Sequence, residues 1–85
     1  MSSSFRLTLK SVNPAVNLPG FKDGTLTIHN VKLGDTISQH LYNLNNFRSP
    51  DAQITKLYNR LGEEIDPSLW KLKINDNLTL YIDRR

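Results

Sequence analysis

The sequence predicts an α+β domain in which a mixed sheet of four to five short strands packs on one helix at about residues 36–46. Residues 5–10, 25–31 and 78–82 alternate apolar and polar side chains, the period of half-buried strands. Residues 36–46 form the one stretch with helical spacing, Ile37, Leu41 and Leu44 recurring at i, i+4 and i+7 along one side. A lone amphipathic helix cannot bury its own stripe, so the strands must cover it.

Composition bounds the rest. A chain of 85 residues makes one domain, and 38% apolar with 22% charged residues suits a soluble globular fold rather than disorder. The absence of cysteine removes disulfides, thiolate metal sites and a cysteine nucleophile, which suits a cytoplasmic or nuclear setting. No apolar run approaches the roughly 20 residues that span a bilayer, so no membrane association is expected. The net charge of +3 is a mild basic excess that suits nucleic acid or an acidic protein partner and that many inert domains also carry; neither the long basic run nor the aromatic-and-glycine pattern of a nucleic-acid binder is present.

Residues 1–4 are expected to be a disordered leader and residues 5–85 the domain. In the first strand Phe5, Leu7 and Leu9 should face the helix, and Arg6, Thr8 and Lys10 water. Residues 11–24 carry two prolines and two glycines, which exclude a regular element, and loops of this length tend to be functional. Val16, Leu18 and Phe21 in it either contact a partner or tuck back over the sheet edge. The strand at 25–31 slips phase between Ile28 and Val31, which predicts a bulge near His29 and Asn30. Thr36 and Gln39 form a Thr-x-x-Gln capping box at the helix start, and Ser49-Pro50-Asp51 ends the helix.

A further strand is expected at about 53–59, although Ile54 and Leu57 cannot both point inward without a kink. Arg60-Leu61-Gly62-Glu63 is a turn, Glu64-Ile65 a very short strand, and Asp66 to Trp70 a single helical turn with proline just after its cap. Leu69, Leu72 and Ile74 are assigned to the core, with Trp70 sealing one end. Leu78, Leu80 and Ile82 complete the inner face. A hairpin, a helix and further strands in this order fit the β-grasp arrangement best.

Several stretches then fall into a familiar order. Thr25-Leu26-Thr27-Ile28 and Asp35-Thr36-Ile37 look like a second strand and helix start, and Ser49-Pro50-Asp51-Ala52-Gln53 like a proline–aspartate–glutamine segment after the helix. Leu61-Gly62-Glu63-Glu64-Ile65-Asp66 looks like a glycine turn before a short strand. Ser68 to Ile74, followed by Leu78-Thr79-Leu80-Tyr81-Ile82, completes the series. In order and spacing these resemble the ubiquitin-like family over nearly the whole chain. The chain stops at Asp83-Arg84-Arg85, about where the diglycine of a conjugated modifier would begin. The resemblance therefore implies a non-conjugated member acting as an adaptor. The alternatives are a processed modifier whose diglycine is missing from this chain, or a small nucleic-acid-binding domain.

Partners of ubiquitin grip an apolar patch on the solvent face of its sheet. The matching positions here are Thr8, Tyr58, Thr79 and Tyr81, with Arg6, Lys10 and Lys56 nearby; Leu18 and Phe21 are candidates from the loop. This face is polar, aromatic and basic, so tyrosines would supply contact area and the cations would select an acidic partner. The same residues would also suit the ordinary outer face of a half-exposed sheet. No catalytic or metal site and no cofactor is expected. His29 and His40 lack ligand partners, Glu63-Glu64 has no second carboxylate placed for acid–base work, and no phosphate-binding glycine loop occurs.

Overall fold

The computed structural model describes residues 4–12 and 20–83. These residues form an α+β domain with one α-helix and a mixed three-stranded sheet, a β-grasp-like layout. Strand β1 (Ser4–Lys10) lies at the centre. Strand β2 (Thr25–Lys32) pairs with it antiparallel, and β3 (Leu78–Tyr81) pairs with it parallel on the other side. Period-two alternation does what the sequence predicts: Leu7 and Leu9 are buried while Arg6 and Lys10 are exposed.

The predicted bulge is present. Phe5 pairs with Val31 and Leu7 with Ile28, so Arg6 opposes both His29 and Asn30, and Asn30 takes a left-handed φ of 62°. The extra residue re-aims the strand and brings Val31 fully into the core. Before β2, Lys22 and Thr25 exchange backbone hydrogen bonds of 2.8 and 3.0 Å around Asp23 and Gly24. Both central residues have positive φ, 54° and 75°, the requirement of a tight hairpin turn that Asp-Gly meets well.

Helix α1 (Ile37–Asn45) starts at Thr36, whose hydroxyl accepts the Gln39 N–H at 3.1 Å. Among the described residues the return bond from the Gln39 side chain is not formed, so the capping box is half built. Asp35 does more at this corner. Its carboxylate accepts the Lys32 N–H at 3.0 Å and lies 2.9 Å from His40 Nε2, joining β2, the turn and the helix. His40 is thus structural. These contacts, the Lys32 N–H first and His40 second, hold the Asp35 carboxyl below its ordinary 3.8.

The strand expected over 53–59, and with it a four- to five-stranded sheet, is not formed. Residues 53–57 run without ladder pairing, and the short strand at 64–65 shrinks to a single bridge between Glu64 and Tyr58. Ile54 and Leu57 are both buried, and an odd spacing of three is incompatible with a flat strand that points alternate residues inward. The core takes both side chains and regular pairing is given up. Asn45 compensates: its carboxamide accepts the Ile54 N–H and donates to the Ile54 carbonyl, both at 2.9 Å, as a neighbouring strand would.

Two 3₁₀ turns, Pro50–Ala52 and Pro67–Lys71, complete the chain path. The second is capped as predicted, Asp66 accepting the Ser68 N–H at 3.0 Å. Leu69 and Leu72, assigned to the core from sequence, are instead exposed. In a 3₁₀ turn residues three apart lie on one side, so the turn that brings Trp70 onto the core carries Leu69 and Leu72 outward together. The core is Leu7, Leu9, Val31, Ile37, Leu41, Ile54, Leu57, Ile74 and Leu80. Among the described residues no helix is long and apolar enough to cross a membrane.

Leu41 is 5% exposed within this core, so Leu41→Ala should destabilise the domain by about 2–5 kcal/mol, read from urea unfolding. The depressed Asp35 carboxyl makes a second prediction. A lowered folded value contributes stability above the unfolded value and loses it as pH falls through the folded one. The thermal midpoint should fall as pH drops below about 5 through the carboxylate range, and Asp35→Asn should flatten that fall while lowering the midpoint at neutral pH.

Candidate functional site

The outer face of the sheet collects most of the residues singled out from sequence. Register does this: Thr8 pairs with Thr27 on one side and Thr79 on the other, giving a Thr27–Thr8–Thr79 row across three strands. One step along, Lys10 pairs with Thr25 and Tyr81. Tyr81 in turn pairs with Tyr58, which donates its N–H to the Tyr81 carbonyl at 2.7 Å and accepts the Tyr81 N–H at 2.9 Å. The second row is therefore Thr25–Lys10–Tyr81–Tyr58. Because Leu57 and Leu80 point inward, the two tyrosines project outward as cross-strand neighbours, half exposed.

Arg6 extends β1 beyond these rows, exposed and opposite the bulge, and its N–H donates to Asn77 Oδ1 at 2.9 Å. Lys56 lies in the irregular segment and lines, with Asp51, Thr55, Tyr58, Ile82 and Asp83, a depression of about 320 Å³ beside the tyrosine pair. Glu64, bridged to Tyr58, adds a carboxylate to that end of the face. Arg6, Thr8, Lys10, Thr79, Tyr81 and Tyr58 are thus brought onto one surface, with Lys56 at its margin.

The loop candidates fare differently. Leu18 lies outside the described residues. Phe21 is half buried against the core, with the Arg48 guanidinium 5.5 Å from its ring centre, and so packs on the helix side of the sheet, away from the rows of Lys10 and Tyr81. Arg48 is held in turn by a 2.8 Å bond from its Nε to the Ala52 carbonyl.

Some members of the surface were missed from sequence. Thr25 and Thr27 share it, and strand alternation alone carries that signal. Asp83, which no strand pattern singles out, accepts from Ser11 Oγ at 2.6 Å and from the Val12 N–H at 2.7 Å, tying the chain beyond β3 to the start of the long loop. Only the parallel β1–β3 pairing brings these residues together. Elsewhere, Leu69 and Leu72 border an apolar depression of about 300 Å³ with Ile37, Ile65, Ile74 and Leu78. Among the described residues no group of three His, Cys, Asp or Glu side chains is placed to hold a metal ion.

Comparison with known proteins returns no match, whether to a family model, a curated protein or a solved structure. The function is therefore argued from the site itself.

The Asp83 contacts yield a local prediction. Asp83→Ala should cost about 1 kcal/mol in unfolding experiments and raise the hydrogen-exchange rate of the Val12 amide, leaving the core amides of Leu7 and Leu9 protected.

Proposed function

We propose that this chain is a non-catalytic, ubiquitin-like interaction module whose outer sheet face binds an acidic protein segment. The observation that carries this is the Thr25–Lys10–Tyr81–Tyr58 row, in which backbone pairing sets a cation beside two adjacent aromatic rings. Tyrosine gives large contact area at a small entropy cost and keeps a hydroxyl for polar contacts. Arg6 and Lys10 are exposed cations on β1 away from the carboxylates of Glu64, Asp51 and Asp83, which lie at the Tyr58 and Lys56 end, and they favour an acidic segment and speed its encounter. The rows rest on paired backbone, so the surface is preorganised and little ordering entropy is lost on binding. The β-grasp-like layout and the motif order support the ubiquitin-like part of the proposal.

The test is a triple variant, Arg6→Glu, Lys10→Glu and Tyr81→Ala, in side chains that leave the core untouched. Fluorescence anisotropy with a labelled oligoglutamate peptide bearing tyrosines should show binding to the parent chain and at least a tenfold loss in the variant, with the thermal midpoint nearly unchanged. Equal binding by both chains defeats the proposal. So does tighter binding of a single-stranded oligonucleotide of matched charge, with the steep salt dependence of phosphate contacts.

A further inference from the structure

Ser49-Pro50 is the single Ser-Pro or Thr-Pro dipeptide in the sequence. Ser49 is exposed and extended, with φ −64° and ψ 158°, the geometry that a following proline imposes. Its side chain makes no capping bond to the 3₁₀ turn that follows, so the hydroxyl is uncommitted as a nucleophile. The dipeptide sits between α1 and that turn, outside the core, so a kinase cleft need open only the 3₁₀ turn, which the Ala52 N–H closes onto the Ser49 carbonyl at 2.9 Å. We propose that Ser49 is a phosphorylation site for a proline-directed serine/threonine kinase using ATP. Ser49 Oγ attacks the γ-phosphorus, the bond from that phosphorus to the β,γ-bridging oxygen breaks, ADP leaves, and the hydroxyl proton passes to a carboxylate of the kinase.

The consequence is local. Arg48 precedes Ser49, bonds Ala52 through Nε and covers Phe21. A phosphate carrying about two negative charges beside it competes for the guanidinium, because charge-assisted bonds to phosphate outlast those to a neutral carbonyl. Modification at Ser49 thus loosens the cover over Phe21.

The experiment incubates the full folded chain with ATP and a purified proline-directed kinase, beside Ser49→Ala and a free peptide of residues 44–54. Fragmentation mass spectrometry should find one phosphate, on Ser49, in the folded chain and none in the variant. NMR of the modified chain should show shifted Phe21 ring resonances. Absence of phosphate from the folded chain, whether or not the peptide accepts it, or phosphate on another residue, overturns the site. Unchanged Phe21 resonances in the phosphorylated chain overturn the Arg48 coupling.

Discussion

The parallel pairing of β1 with β3 ties the first strand of the chain to the last, and much of the domain depends on it. A parallel pair needs a long connection, and here that connection includes β2, the helix and both 3₁₀ turns. Closing it puts Leu7 and Leu9 of β1 beside Leu80 of β3, all buried. The antiparallel β2 then adds Val31, and the helix lays Ile37 and Leu41 over the same patch. Asn77 and Asp83, just before and just beyond β3, bond backbone groups at Arg6 and Val12, so the pairing is held at both ends by side chains.

The region between the helix and β3 shows how a core overrides local regularity. Ile54 and Leu57 are worth more buried than their segment is worth as a strand, since hydrophobic burial yields on the order of 1.5–3 kcal/mol per such side chain. Backbone groups stripped of ladder partners still need bonds. Asn45 serves Ile54, Leu57 accepts from Ile65, and Tyr58 pairs with Tyr81. Asn59 folds the next turn, its side-chain oxygen accepting the Leu61 and Glu63 N–H groups. Asparagine is useful here because one carboxamide can both donate and accept.

The alternation of the strands gives the sheet one buried face and one exposed face. Inward positions are leucine, isoleucine, valine and Phe5; the two outward rows are threonine, tyrosine and lysine, with Arg6 beyond them. Substitutions on the outer face should therefore have little effect on folding. The backbone bonds of the tyrosine pair are also the link between β3 and the irregular segment.

Strand alternation, the 3.6-residue stripe of Ile37, Leu41 and Leu44, the cap at Asp66 and the phase slip at His29 and Asn30 were legible because each follows from neighbours a few residues apart. So was the outward set of Arg6, Thr8, Lys10, Thr79 and Tyr81. What the sequence left open depended on partners far away in the chain. Tyr58 joins the face through its bond to Tyr81, Asp83 finds its use through the β1–β3 register, and Phe21 is drawn inward by the core and Arg48. Leu69 and Leu72 turned outward because the tight 3₁₀ geometry, set by docking Trp70, carries them there. Local periodicity is written in adjacent residues; which competing side chain wins the core is decided when distant segments meet.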